Sequence, residues 1–175
     1  MRRARQEDAA AVAEVHVRTW QAAYEHIFGA ERLDELDVEP RLRGWERALA
    51  ERPDEPVLLA EQEGRVVAFA SVGPSRDEPG EGELYAIYAL PSAWGGGAGP
   101  ALMRESLALL RELGYRSATL WVLEDNPRAR RFYEREGWTL DGTRREGEHL
   151  GVAASEVRYR IALPLTTAPT KRSRR

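Results

Sequence analysis

A mixed α/β fold is what this sequence predicts, on three observations. Leu84 to Leu90 is an apolar run closed by Pro91. Gly95, Gly96, Gly97 and Gly99 follow, and then Leu102, Met103, Leu107, Leu110 and Leu113 recur at helical spacing, so a strand, a glycine loop and a helix stand in succession. Further on, Ala118 to Leu123 reads as a strand, and Asn126-Pro127 supplies an N-cap and a proline at the first helical position. Third, Val57 to Glu61 and Arg65 to Val72 are extended runs joined at Glu63-Gly64, a hairpin turn pair.

The remaining elements fall around these. Arg2 to Arg5 is a short strand candidate. Glu7 and Asp8 are acids placed for a first helical turn, and Ala9, Val12, His16 and Trp20 form one stripe, which predicts a helix near residues 7–24. Residues 31–51 carry Leu33, Leu36, Leu42, Trp45 and Leu49 at helical spacing, with Pro40 dividing or kinking them. Residues 73–82 read as a loop. Glu83 opens the strand that enters the glycine loop, and alternation puts Glu83, Tyr85, Ile87 and Ala89 on one face. Gly114 reads as a helix C-cap, and Gly137 ends the last helix near Glu136. Trp138 to Thr143 and Glu156 to Leu163 are two closing strands around a polar loop, Arg144 to Ser155. Residues 1–165 are expected to form one domain and the basic residues 166–175 a disordered tail.

The glycine loop is the first candidate for chemistry. Glycines let backbone N–H groups crowd one point, and a helix start adds unpaired donors and partial positive charge. No Ser or Asp in the cluster caps the helix, so a ligand anion can take the cap's place; a plain flexible connector is the alternative. The glycine spacing breaks G-x-G-x-x-G, because Pro100 and Leu102 stand at the third glycine, and no Lys-Ser/Thr follows to make a P-loop.

Ala89, Pro91, Trp94, Gly95, Gly97 and Gly99 are similar, in register, to the acyl-CoA-binding motif of the GNAT (Gcn5-related) N-acetyltransferase superfamily. Asn126, Ala129, Phe132, Tyr133, Gly137 and Trp138 resemble that superfamily's second signature. The resemblance covers residues 2–163 and implies a GNAT-type fold: a central mixed, mostly antiparallel sheet of about seven strands flanked by helices, whose middle strands splay to admit the cofactor. It implies an acetyl-CoA-dependent N-acetyltransferase that moves acetyl directly to a primary amine of a small molecule or peptide. Tyr88, Ala89, Trp94, Gly95, Gly96, Gly97, Ala98, Gly99 and Asn126 would hold acetyl-CoA. Tyr133 would protonate the departing thiolate. Glu83, six positions before Ala89, would act as general base through a water, with Glu81, Glu124 and His16 as alternatives. Trp20 and Tyr24 would line the acceptor side, core packing being their other reading. Two departures from the pattern are Trp94, where Gln or Arg is usual, and Pro100, which lacks a donor N–H; they keep a non-catalytic acyl-CoA-binding or regulatory domain as the alternative.

Composition excludes other classes. There is no cysteine, hence no disulfide, thiolate metal site or cysteine nucleophile, and His16, His26 and His149 show no metal spacing, so no metal is expected. No run of 18 apolar residues occurs and no apolar leader follows Met1, which predicts a cytoplasmic protein without a membrane partner. The net charge of −3 hides a basic end: with Lys171, Arg172, Arg174 and Arg175 set aside, 22 basic residues face 29 acidic ones. That balance favours a cationic acceptor and counts against nucleic acid. A homodimer is expected by family habit alone.

Overall fold

The computed structural model describes residues 1–164; the expected tail, residues 166–175, lies outside the described residues. Seven strands form one sheet in the order β1-β2-β3-β4-β5-β7-β6. They are β1 (Arg2–Arg3), β2 (Val57–Gln62), β3 (Arg65–Pro74), β4 (Gly82–Ala89), β5 (Ser117–Leu123), β6 (Thr139–His149) and β7 (Val152–Ala162). Every neighbouring pair is antiparallel except β4 and β5. The helices are α1 (Ala9–Ala23), α2 (Glu25–Phe28), α3 (Ala30–Asp34), α4 (Val38–Glu51), α5 (Ala98–Glu112) and α6 (Pro127–Arg135).

Each face of the sheet has its own core. Leu102, Met103 and Leu110 of α5 pack with Ala68, Ala70, Leu120, Val122 and Trp138 on one face. Val12 and Val15 of α1 pack with Val57, Leu59 and Phe69 on the other, with Trp45 and Leu49 of α4 against them. The start of α1 is pinned by Asp8, which accepts two bonds from the Arg2 guanidinium (2.7 Å each) and one from Arg5 N (2.7 Å).

Among the described residues β4 and β5 are the only parallel pair, and they meet at just two positions, Gly82 with Ala118 and Glu83 with Thr119. Beyond that the strands part, and the edge of β4 from Leu84 to Ala89 faces an open wedge. The sheet is therefore two blocks, β1–β4 and β5–β7, joined at a two-residue hinge. A Cβ on Gly82 would lie 2.8 Å from a Leu110 methyl and 3.2 Å from the Tyr115 ring, so a side chain there would push α5 off the hinge.

Three expectations change. Two helical pieces do span residues 31–51, as α3 and α4, but Pro40 does not divide them. The break precedes it: Asp37 caps α4 by accepting from Glu39 N (3.1 Å), which puts Pro40 in the first turn where its missing N–H costs nothing. The polar loop expected at residues 144–155 is paired strand. β6 and β7 form a long hairpin turning at Leu150-Gly151, both at positive φ (53° and 72°), and its solvated charges hid the period-2 pattern. On β4, a bulge against Ser71/Val72 breaks the alternation. Leu84, Ile87 and Ala89 pack toward α5, whereas Ala86 and Tyr88 pack toward α1 and α4. Glu83 and Tyr85 therefore belong to the face of Ala86 and Tyr88, not to that of Ile87 and Ala89.

Candidate active site

The glycine loop runs from the end of β4 to the start of α5. Gly95 and Gly97 take positive φ (76° and 84°), and Gly97 is the N-cap of α5 with no side-chain partner. Gly96 N donates to Ala93 O (3.2 Å) and Ala101 N to Gly97 O (3.1 Å), while Pro100 has no donor. The N–H groups of Gly95, Gly97, Ala98 and Gly99 have no protein acceptor among the described residues. Four donors thus remain for an anion, and Gly96, expected among them, is already committed to the loop's own turn.

Trp94 explains how the loop is held. Its indole N–H donates to Ala89 O (2.8 Å), and Thr19 Oγ1 donates to the same oxygen (3.0 Å), so the loop, β4 and α1 converge on one carbonyl. The Arg128 guanidinium stacks 3.4 Å over the Trp94 ring. A cation therefore stands beside the loop even though residue 94 itself is neutral. It comes from the first turn of α6, which carries no acid. Leu90 N donates to Val67 O (2.9 Å), and antiparallel alternation from that bond turns the N–H groups of Ala89 and Ile87 away from β3, into the wedge.

Tyr133, Tyr88, Tyr24 and Asn126 meet at the wedge. Tyr133 is buried on α6, and its hydroxyl makes no hydrogen bond to the described protein. Burial, with Tyr88 adding a smaller push, holds its pKa far above the ordinary phenol range. Burial likewise raises Tyr24 and Tyr88, and Tyr24 lies against both Tyr88 and Asn126. Asn126 Oδ1 caps α6 by accepting from Ala129 N (3.0 Å), which leaves its NH2 group for another partner. Trp20 lies edge-on to Tyr24 (5.0 Å) and stacks on Phe28 (5.8 Å), so it packs in an aromatic cluster that reaches Tyr24.

Glu83 sits at the closed end of the wedge. It is 4% exposed and accepts from Arg76 N (2.9 Å). Desolvation raises its pKa, partly opposed by Arg76. The structure does not gather Glu83 with the tyrosines: its charged neighbours are Arg76, Asp77 and Arg145. Four residues of strand, about 13 Å, separate it from Ile87.

Some residues at the site escaped the sequence. Thr19 carried no signal beyond a helix position. Arg128 was visible only as one of several arginines on α6. Glu156 is a buried carboxylate opposite Leu123 on β7, bound by Arg145 Nε (2.6 Å), and its charge reaches Tyr88. Its strand was expected, but Arg145, which pairs opposite it on β6, lay in the stretch read as a loop. The charge of Arg41 on α4 also reaches Tyr88, and its guanidinium lies over the Trp20 ring, 5.7 Å from the centroid. Among the described residues no group of three or more His, Cys, Asp or Glu stands ready to hold a metal, and no helix is long and apolar enough to cross a membrane.

A family model described as the Acetyltransferase (GNAT) family matches residues 5–138. Over 130 residues the chain is 37% identical to the uncharacterized N-acetyltransferase YuaI of Bacillus subtilis (strain 168), covering 73% of each protein. Its structure is similar to the ribosomal-protein-alanine N-acetyltransferase of Brucella melitensis, with TM-score 0.69 and 27% identity over 93% of this chain and 98% of that one. It also shares its fold with yncA of Salmonella typhimurium, solved with its cofactor acetyl-CoA, at TM-score 0.68 and 24% identity over 97% and 96% of the two chains.

Proposed function

The chain belongs to the GNAT acetyltransferase family, and from that premise we propose that it moves acetyl from acetyl-CoA directly to a primary amine of a small molecule or peptide. One observation carries the reading: four unclaimed N–H donors at Gly95, Gly97, Ala98 and Gly99 lead into a strand edge whose N–H groups at Ala89 and Ile87 also face open space. The first set suits a diphosphate, and the second suits an extended amide-bearing arm that pairs as an added strand. Arg128 on Trp94 supplies a positive charge beside the first set.

The residues divide the work. The N–H of Ile87 or Ala89 donates to the thioester oxygen as charge develops there. A free alkyl amine is protonated near neutral pH, with pKa ~10.4, and must lose a proton before it attacks. Glu83 takes that proton through water, since the strand distance rules out direct contact, and desolvation brings it toward the working pH. The amine nitrogen forms the new bond to the acetyl carbon as the carbon–sulfur bond breaks. Tyr133 gives its hydroxyl proton to the departing sulfur. Burial keeps the phenol protonated, and the same dry surroundings raise the basicity of the thiolate. The absence of cysteine fits transfer without a thiol acyl-enzyme.

The test is thiol release from acetyl-CoA across a panel of small amines, amino acids and peptides. Thiol should appear in step with an acetylated amine. Release no faster than spontaneous hydrolysis with every member would defeat the proposal.

A further inference from the structure

Arg41 stands out among the arginines of the acceptor face. It is half-buried on the first turn of α4, where the helix start already carries partial positive charge. It lines a cavity of about 220 Å3 with His16, Trp45, Arg76, Tyr85 and Ala86. The other cations there have a carboxylate partner, which they share: Glu55 pairs with Arg52 (3.2 Å) and with Arg76 (3.8 Å). Glu156, the other charged group that acts on Tyr88, is held by Arg145 (2.6 Å). No carboxylate lies within ion-pair distance of Arg41 among the described residues.

A second donor beside it is poorly met. The Trp20 indole N–H is buried and makes no well-directed hydrogen bond among the described residues; the Tyr88 hydroxyl is the polar group beside it, and Trp20 as a whole is 9% exposed. Arg41 lies 5.7 Å from that ring's centroid. His16 cannot serve as the missing anion: it accepts from Trp45 Nε1 (3.2 Å) through Nδ1, and its ring is held neutral by burial and by the Arg41 charge. A half-desolvated guanidinium at a helix start and a buried N–H are costly neighbours unless an acceptor reaches both.

We infer that the acceptor amine carries its own carboxylate, which binds between Arg41 and the Trp20 N–H while the amine points into the wedge beside Tyr88. This rests on the acetyl-transfer reading and narrows it from amines in general to amino acids and other amino-carboxylates. It also reverses what the acidic composition suggests, because the local field at the cavity is positive although the chain is negative overall.

The test pairs acids with their decarboxylated counterparts: L-leucine with isopentylamine, and L-phenylalanine with phenethylamine. In the wild-type enzyme, kcat/KM should favour the acid of at least one pair by roughly 10- to 100-fold, the size of a charge-assisted hydrogen bond. Arg41→Gln should raise KM for that acid by a similar factor with little change in kcat, and should leave the amine unaffected, because the carboxylate is remote from the reacting atoms. Arg41→Lys should restore part of the preference. Calorimetry with coenzyme A should give the same affinity for all three proteins. Equal rates for acids and amines, a preference that survives Arg41→Gln, or no turnover of either series by an enzyme that binds coenzyme A would each overturn the inference. Failure of the wild-type protein to bind coenzyme A would instead remove the acetyl-transfer reading beneath it.

Discussion

Burial pushes Glu83 and Tyr133 the same way, and the proposed roles use that shift in opposite senses. A raised carboxyl becomes a better base near neutral pH, and a raised phenol stays a proton donor. If Glu83 is the base, activity is lost as it protonates, so the wild-type rate should rise with pH through its elevated pKa. Glu83→Gln should remove that rise and lower kcat/KM by ~10²-fold or more, read from a pH–rate profile. Tyr133→Phe should lower kcat by a comparable ~10²-fold while calorimetry finds coenzyme A binding unchanged. At this scale the sequence was uneven. Tyr133 and Asn126 were legible because helix spacing fixes them relative to each other. Arg41, Arg128 and Thr19 were not, because their partners lie on other elements: Thr19 meets a carbonyl 70 residues away.

Among the elements, α1 and α4 are joined by the Trp45–His16 hydrogen bond, and His16 carries a cost that pH exposes. Burial, and then the Arg41 charge, hold its pKa at about 3, below the ordinary 6.5. The unfolded chain therefore binds a proton that the native one refuses. Stability from this source is full above pH 6.5 and is lost as pH falls toward 3, at up to about 1.4 kcal/mol per unit. Glu83 acts in the other direction, since its raised carboxyl favours the native state once protonated. The measurement is therefore the difference between wild type and His16→Gln, which keeps an acceptor for Trp45. The wild-type melting temperature should fall from pH 6.5 to pH 4.5 more steeply than the variant's. Sequence-level reading of elements succeeded where a turn or cap announces itself. Glu63-Gly64 (φ 51° and 76°) closes the β2–β3 hairpin as expected, and Asn126-Pro127 starts α6. It failed along Arg144 to Ser155, where Glu146, Arg144 and Ser155 bond across strands and the charges mask the short apolar alternation of Leu150, Val152 and Ala154.

At the scale of the whole molecule the two blocks share one apolar core under α5, but little backbone joins them within the sheet. Family-level reading anticipated the splay but not its narrowness: two backbone pairs and a glycine that leaves no room for a methyl group. In a saturated sheet the middle strands exchange their amide hydrogens last. Here the amides of Ile87 and Ala89 should exchange faster than those of Tyr88 and Leu90, which face β3, and saturating coenzyme A should slow the first pair selectively. Uniform protection with and without ligand would contradict the pairing deduced from the Leu90–Val67 bond.

On the proposed function, that junction would make the ligand a structural member as well as a reactant. A chain bridging the wedge would complete the sheet as an eighth strand, so occupancy should set the protein's stiffness, and release of the spent thiol would loosen the fold at the moment the site must reload.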